Sequence, residues 1–212
     1  MPVRVRTIQT SVGPARATIE RPSPDVVSLG SLVLSHGAGG GIEAPDLVAL
    51  RAVVGDGWTY VRVEQPWRVA GRRIATPPRT LDIAWIEVLA RLRRGRWALP
   101  GPVIVGGRSA GARVACRTAA AVGADAVIAL SFPLVPPKGG TSRAPEMALV
   151  LSAGLPLTVI QGERDPFGTP ADVQRAVGDA AHILPARGDH SFTRHPADVL
   201  AAARGWLAQF AQ

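Results

Sequence analysis

The sequence predicts a single α/β domain over residues 1–212, with about seven or eight mostly parallel strands covered by helices on both faces. Short apolar runs, such as residues 32–34 and 103–105, have the length and branched side chains of buried strands. Segments such as residues 80–94 repeat apolar residues at helical spacing. These strands and helices alternate along the chain, which is the order that builds a parallel sheet.

The predicted elements begin with an antiparallel hairpin in residues 1–20 that turns at Val12-Gly13-Pro14. Further strands are predicted at residues 29–35, 59–63, 102–106, 126–130, 157–161 and 181–184. Helices are predicted at residues 46–54, 80–94, 110–122, 172–177 and 196–210. In such a fold ligands bind beyond the carboxyl ends of the strands, so we expect the chemistry in the loops that follow them.

Composition excludes several classes of protein. A chain with 47% hydrophobic and 19% charged residues is not disordered. Cys116 is the single cysteine, which excludes an intramolecular disulfide and a cysteine-rich zinc site. No apolar run has the length of a secretory signal or a membrane span. We therefore expect a cytoplasmic protein with no membrane partner.

The charge balance at first indicates a nucleic-acid partner. The formal net charge is +8, and all but one of the 24 basic residues are arginines, Lys138 being the exception. Basic residues are concentrated at residues 62–96, but no helix-turn-helix, RNA-recognition or zinc pattern accompanies them. We therefore expect no nucleic-acid partner and a mostly solvated basic face.

A serine flanked by glycines follows the predicted strand at residues 102–106 and precedes a predicted helix. Gly107-Arg108-Ser109-Ala110-Gly111 fits G-x-S-x-G, in which a sharp, strained turn exposes the serine hydroxyl as a nucleophile. Gly107 and Gly111 avoid collisions with the neighbouring strand and helix, and the helix N-terminus favours a developing negative charge. A phosphate-binding turn is the alternative, and the strand-to-helix context favours Ser109 as the nucleophile.

A serine hydroxyl is a weak nucleophile without a base, and histidine is the usual base. His190 lies in the loop between the last predicted strand and the last predicted helix. His182 starts a strand and His195 precedes a helix, positions that favour structural roles. His190 is therefore the candidate base.

The base needs an orienting carboxylate. Asp165 follows the predicted strand at residues 157–161, and Pro166 keeps Asp165 out of helical geometry. Glu163 is its local rival. The order Ser109, Asp165, His190 agrees with the nucleophile, acid and histidine order that accompanies this turn motif.

A second glycine-rich loop, His36-Gly37-Ala38-Gly39-Gly40, follows the predicted strand at residues 29–35. Such a loop supplies one backbone N–H of an oxyanion hole, and the residue after the nucleophile supplies the other. We assign these donors to Ala38 and Ala110, and His36, Gly37 and Gly39 to the ordering of the loop. A dinucleotide-binding fingerprint is the rival, but Ile42 occupies the position of its third glycine.

Five segments resemble small bacterial α/β-hydrolases of the dienelactone-hydrolase-like superfamily, in the branch shared with NSL-complex-subunit-like and testis-expressed hydrolase-like proteins. They are LSHGAGG (34–40), VGGRSAGARVA (105–115), LSFPLVPPKG (130–139), VIQGERDPFG (159–168) and GDHSF (188–192). The resemblance implies the α/β-hydrolase fold, with Ser109, Asp165 and His190 as a catalytic triad. Ser109 stands where dienelactone hydrolases have a cysteine.

These features predict a serine hydrolase that cleaves a carboxylic ester, a thioester or a lactone through an acyl-enzyme, with no metal or cofactor. Residues 132–154 are too few for a helical cap, which predicts an open, shallow cleft for a small ester substrate. The alternative is a non-enzymatic interaction module that retains the triad by descent, as the relatives in this branch imply. The candidates for binding an anionic substrate are Arg68, Arg72, Arg73 and Arg108.

Overall fold

The computed structural model describes residues 3–95, 98–136 and 139–211, and its centre is an eight-stranded sheet. The strands are β1 (Arg4–Thr10), β2 (Gly13–Glu20), β3 (Gly30–Ser35), β4 (Trp58–Glu64), β5 (Val103–Arg108), β6 (Ala126–Leu130), β7 (Leu157–Gly162) and β8 (His182–Ala186). Their order across the sheet is β1-β2-β4-β3-β5-β6-β7-β8. The pairs β1–β2 and β2–β4 are antiparallel and the others are parallel. The predicted fold class is confirmed.

Seven α-helices cover the sheet within the described residues. They are α1 (Pro45–Ala49), α2 (Pro66–Val69), α3 (Pro78–Leu92), α4 (Ala110–Thr118), α5 (Ala144–Ser152), α6 (Pro170–Val177) and α7 (Pro196–Leu207). Proline stands in the first turn of each of them except α4. Its fixed φ suits a helix start, and its missing N–H would have no partner there. Helix α4, which follows the candidate nucleophile, therefore starts without a proline.

Two helices were not predicted, and three predicted helices are shorter than expected. Helix α4 ends at Thr118 rather than at residue 122, and α7 ends at Leu207 rather than at residue 210. Helix α2 is too short to show a periodic pattern. Helix α5 lies in a nearly continuous apolar run in which Met147 and Val150 are buried while Leu149 is 52% exposed. Such a run gives no helical stripe in the sequence. The predicted helix at residues 46–54 consists of α1 followed by a 3₁₀ turn, Leu50–Val54.

The turn of the N-terminal hairpin lies before its predicted position. Ser11 and Val12 form the turn, and Gly13 opens β2 with a φ of +115°. Pro14 already pairs with Gln9 across the hairpin. Glycine tolerates this positive φ, so Gly13 belongs to the strand and the predicted turn at Val12-Gly13-Pro14 was wrong.

Both faces of the sheet are buried in apolar cores. In β3, Val33 packs into the core on one face, while Leu32 packs into the core on the other. The first core includes Trp85 of α3, and the second includes Trp206 of α7. Alternate residues of a strand point to opposite faces, so strands buried on both faces read as continuous apolar runs.

The carboxyl ends of the parallel strands β3, β5, β7 and β8 lie along the same edge of the sheet. The loops that follow these four strands carry the candidate residues at positions 36–40, 109, 165 and 190. Among the helices of residues 3–95, 98–136 and 139–211, none is long and apolar enough to span a membrane.

Candidate active site

Ser109 lies in the turn that joins β5 to α4, and its backbone is strained. Its φ of 53° and ψ of −107° lie outside the regions that non-glycine residues normally adopt. A Cβ at Gly107 or Gly111 would lie 2.5 Å from the carbonyl oxygen of Ser35. The turn can therefore be this tight only because both positions are glycine, and it holds Ser109 in the wall of a cleft.

His190 connects Ser109 with Asp165. Its Nε2 lies 2.9 Å from Oγ of Ser109, and its Nδ1 lies 2.8 Å from Oδ2 of Asp165. An ionised carboxylate only accepts hydrogen bonds, so Nδ1 carries the proton and Nε2 presents its lone pair. The Ser109 hydroxyl therefore donates to His190, which is the arrangement in which an imidazole can take the serine proton.

Asp165 is 3% exposed, and three N–H donors converge on its carboxylate. Nε2 of Gln161 lies 3.0 Å from Oδ2, and the backbone N of Phe167 lies 2.9 Å from Oδ1. His190 is the third donor. Buried carboxylates are costly unless they are hydrogen-bonded, and these donors supply the bonds. The rival carboxylate, Glu163, is exposed.

Gln161 supports Asp165, and the sequence pattern did not single it out. It is fully buried near the end of β7. Its Nε2 also lies 2.7 Å from the carbonyl oxygen of Gly168, and its Oε1 accepts a hydrogen bond of 2.9 Å from the backbone N of Phe132. Gln161 therefore ties the loop after β7 to the segment after β6. The one available signal was a polar residue near the carboxyl end of a mostly apolar strand.

The loop that carries His190 packs tightly against the end of β7. A Cβ at Gly162 would lie 2.6 Å from the carbonyl oxygen of Asp189. The ring of Phe167 lies over the imidazole of His190, with 4.3 Å between the ring centroids. The position of the imidazole is therefore fixed by the packing of two loops as well as by its hydrogen bonds.

Ala38 and Ala110, the candidate oxyanion-hole residues, line the cleft together with Ser109. Neither backbone N–H has a hydrogen-bond partner in the part of the chain that the structure describes. Gly37 lets its loop approach the turn around Ser109 closely, since a Cβ at position 37 would lie 3.3 Å from the Cβ of Ser109. Glycine is not sterically required at position 39, because a Cβ there would have no neighbouring atom within 4 Å.

His36 lies at the base of the glycine-rich loop. Its Nε2 accepts a hydrogen bond of 3.1 Å from the backbone N of Gln65, and its Nδ1 donates over 2.8 Å to the carbonyl oxygen of Gly37. Burial lowers the pKa of His36, which favours the neutral ring that these two bonds require. Both ring nitrogens are engaged by backbone, so His36 orders the loop.

The cleft beside Ser109 has a volume of about 600 Å³, within the range of small-molecule sites. Of the four candidate substrate-binding arginines, Arg108 lies in its wall. Arg68 lies beside the glycine-rich loop, where a Cβ at Gly41 would be 3.6 Å from its Nε. Arg72 and Arg73 are exposed and lie outside the cleft wall.

Arg108 connects the nucleophile turn with two other parts of the site. Its Nη2 donates over 2.8 Å to the carbonyl oxygen of His190. Its Nε lies 3.1 Å from Oδ2 of Asp46 in an ion pair that is not aligned as a hydrogen bond. Asp46 belongs to α1 and is fully buried. Arg108 therefore fixes the histidine loop, and its charge is neutralised by a carboxylate that the sequence pattern did not reveal.

We expect Arg108→Met to destabilise the fold by about 3–5 kcal/mol near neutral pH, because Asp46 would lose its buried partner. Burial raises the pKa of Asp46 above its ordinary value, and the charge of Arg108 opposes that rise. Without Arg108 the folded-state pKa rises further above the unfolded value. Folding then favours the protonated carboxyl, so the stability deficit of the variant shrinks as the pH falls. Urea unfolding of both proteins near pH 8 and pH 5 measures this difference.

Arg204→Met is the matched control, because Arg204 pairs with Asp56 at the surface, with side-chain exposures of 44% and 39%. Exposed ion pairs contribute about 0–1 kcal/mol, so we expect a loss of that size or less. An Arg108→Met deficit no larger than that of the control, or one that grows as the pH falls, would contradict the inferred role of the buried pair.

Comparison with known proteins identifies the family. Residues 29–206 match the model of the alpha/beta hydrolase domain. No curated protein sequence matches the chain. Among solved structures, an alpha-beta serine hydrolase homologue from Coxiella burnetii is similar, with a TM-score of 0.76, 18% identity, and coverage of 99% of this chain and 97% of that one.

Two further structures share the fold. A serine hydrolase without lid from Xanthomonas campestris has a TM-score of 0.70 and 21% identity, with coverage of 97% of this chain and 96% of the other. Esterase 2 of Thermogutta terrifontis, solved phosphorylated by paraoxon, has a TM-score of 0.74 and 16% identity, with coverage of 98% and 94%. The family match spans most of the chain, and this protein belongs to the alpha/beta hydrolase family.

Proposed function

We propose that this protein is a serine hydrolase that cleaves carboxylic esters, with thioesters and lactones as related substrates, through an acyl-enzyme. One observation carries the proposal. Hydrogen bonds of 2.8 and 2.9 Å join Asp165 to His190 and His190 to Ser109, and Ser109 lies on a strained turn in a cleft wall. The catalytic roles of these three residues are part of the proposal.

Acylation begins when Oγ of Ser109 attacks the carbonyl carbon of the bound ester. His190 Nε2 takes the hydroxyl proton as the new C–O bond forms, and Asp165 stabilises the resulting imidazolium. The carbonyl oxygen becomes an anion within reach of the backbone N–H groups of Ala38 and Ala110. Collapse of this tetrahedral intermediate breaks the bond to the alcohol, and His190 returns the proton to the leaving oxygen.

Deacylation repeats the sequence with water as the nucleophile. His190 removes a proton from water while the water oxygen attacks the acyl carbon, and the same two N–H groups hold the second oxyanion. The intermediate then expels Oγ of Ser109, which regains its proton from His190. The net reaction is ester plus water to acid plus alcohol, and these steps use only the protein's own groups.

The open cleft supports a small-molecule ester as the substrate. Residues 132–154 place Pro133 and Arg143 in the cleft wall, while helix α5 of this segment packs on α4 and α6 and does not line the cleft. Serine hydrolases without a lid are known in this fold, as the Xanthomonas structure illustrates. Placement in the dienelactone-hydrolase-like branch and in the cytoplasm stays a prediction from the sequence.

A fluorophosphonate probe tests the proposal directly, because it reacts with activated serine nucleophiles. We expect the wild-type protein to be labelled at one site, with the adduct located on Ser109 by mass spectrometry, and the labelled protein to lose esterase activity on short 4-nitrophenyl esters. The paraoxon adduct of the Thermogutta esterase supports the choice of an organophosphorus probe. Denaturation before labelling is the control and should abolish the adduct.

The alternative, a non-enzymatic interaction module, predicts a different outcome. Folded wild-type protein would then give no adduct and no ester hydrolysis above that of the denatured control. An adduct on a serine other than Ser109 would also contradict the proposal.

A further inference from the structure

The walls of the cleft carry three arginine side chains and, within the described residues, no carboxylate. They are Arg108, Arg113 and Arg143. Arg113 and Arg143 were not among the substrate-binding candidates from the sequence. The side chain of Arg113 extends from the first turn of α4, one helical turn beyond Ser109. The cleft in which the candidate nucleophile lies is therefore lined by cations.

Two of these cations are neutralised by the protein itself. Arg108 pairs with the buried Asp46. Arg113 donates two hydrogen bonds to Glu146, at 2.8 and 2.6 Å. Glu146 also pairs with Arg117, which in turn pairs with Asp82. These two arginines and two carboxylates form a network without net charge.

Arg143 is the cation left over. Its Nη1 donates a hydrogen bond of 3.0 Å to the carbonyl oxygen of Pro133. This bond uses one of the five N–H groups of the Arg143 guanidinium. Across residues 3–95, 98–136 and 139–211, no carboxylate forms an ion pair with it. Burial and, after it, the neighbouring charge of Arg113 lower the pKa of Arg143, while the charge of Glu146, which is already paired with Arg113 and Arg117, opposes them. A bound anion would add a favourable charge beside the guanidinium.

The fold explains why Arg143 is in this position. It is the residue immediately before α5, at the end of the segment after β6. Its backbone N donates over 2.8 Å to the carbonyl oxygen of Leu134, so its main chain is held beside the cleft. The guanidinium therefore reaches the cleft from an anchored position, which reduces the conformational entropy that binding an anion would cost.

We propose that Arg143 is the specificity-determining residue of this site and that the substrate is an ester carrying an anionic group, such as a carboxylate. This inference rests on the proposed esterase function and names its substrate class. Arg143 replaces the exposed arginines at positions 72 and 73 as the group that recognises the anion. A planar guanidinium suits a carboxylate because it can form paired, charge-assisted hydrogen bonds.

Matched ester pairs test this inference by changing the charge of the substrate while keeping its shape similar, and each kcat/KM is divided by the rate of spontaneous hydrolysis of that ester to correct for its reactivity. Mono-4-nitrophenyl glutarate and 4-nitrophenyl pentanoate differ in charge on the acid side of the ester, and 4-acetoxybenzoate and its methyl ester differ on the alcohol side. In at least one pair we expect wild-type kcat/KM to be about tenfold or more higher for the anionic member. This preference should fall at high salt, since exposed charges are screened.

Variants identify the residue responsible. Arg143→Gln should abolish the anionic preference, and Arg143→Lys should restore part of it by restoring the charge. The control Arg72→Gln/Arg73→Gln removes two exposed cations outside the cleft wall and should keep the preference. No anionic preference in either pair, or a preference that survives Arg143→Gln, would overturn the inference.

A binding measurement separates this inference from the proposed function. Ser109→Ala removes the candidate nucleophile, so NMR titration of that variant with glutarate and with benzoate reports binding without hydrolysis. Binding that is lost on adding Arg143→Gln would support the anion site even if the wild-type protein cleaved no ester. Hydrolysis of neutral esters with no Arg143-dependent binding or preference would overturn the anion site and leave the proposed function in place.

Discussion

Ser109→Ala is expected to lower kcat for ester hydrolysis by about 10⁴–10⁶-fold, the largest effect predicted for this protein. Alanine removes the oxygen that attacks the carbonyl and the donor that His190 accepts at 2.9 Å. The backbone amides of Ala38 and Ala110, which are proposed to form the oxyanion hole, and the cleft remain, so we expect KM to change little by comparison. Steady-state kinetics on a 4-nitrophenyl ester measures both constants.

Ser152→Ala is the matched control, because Ser152 is exposed at the end of α5, outside the cleft wall. It should retain the wild-type kcat. Urea unfolding of Ser109→Ala should differ from that of wild type by no more than about 1 kcal/mol, the contribution of one hydrogen bond. A folded Ser109→Ala protein that retained more than a tenth of the wild-type kcat would exclude Ser109 as the nucleophile.

The fold class could be predicted because the signals for a parallel sheet are local. Residues 126–130, for example, are apolar throughout, and β6 has the same bounds as its prediction. Helix α5 could not be predicted, because its buried residues Met147 and Val150 are hidden among exposed apolar ones. The hairpin turn was misplaced because the positive φ of Gly13 is used inside β2 rather than in the turn.

The residues proposed to carry the chemistry could be predicted for a related reason. The turn around Ser109 needs glycines at fixed positions, since a Cβ at position 107 or 111 would meet the carbonyl oxygen of Ser35. This requirement leaves a pattern in five consecutive residues. Asp165 follows the buried strand β7 and His190 follows the edge strand β8, and the parallel pairing of these strands brings their carboxyl ends together.

The supporting residues left no such pattern, because each of their roles includes a contact with a residue that is distant in the sequence. Arg108 contacts the carbonyl of His190 across 82 positions, and Gln161 contacts Phe132 across 29. The charge of Arg143 matters only because Glu146 is already paired with Arg113 and Arg117. Whether a cleft carries unpaired charge depends on the whole network of ion pairs around it. That network can be identified only from the three-dimensional structure.

The second large effect is expected for Asp165→Asn, which should lower kcat by about 10³–10⁴-fold. Three N–H donors, from Gln161, Phe167 and His190, point at the two carboxylate oxygens. An amide offers one accepting oxygen and one NH₂ group, so either orientation sets the NH₂ against a donor. If the NH₂ faces His190, the imidazole must carry its proton on Nε2 and cannot accept from Ser109. If it faces the N–H of Phe167, the loop that positions the side chain is strained.

Glu163→Gln is the control for Asp165→Asn, because it makes the same carboxylate-to-amide change two residues earlier, at an exposed position. We expect it to retain wild-type kcat, which steady-state kinetics on the same ester would show. If Glu163→Gln lost kcat by a comparable factor while Asp165→Asn stayed active, Glu163 rather than Asp165 would be the acid that orients His190. Less than a tenfold loss in Asp165→Asn would mean that the packing of Phe167 and the Arg108 hydrogen bond to the His190 carbonyl hold the imidazole in its productive orientation without the carboxylate. The size of the loss therefore measures how far the carboxylate itself, rather than the loops that surround it, prepares His190 to accept the serine proton.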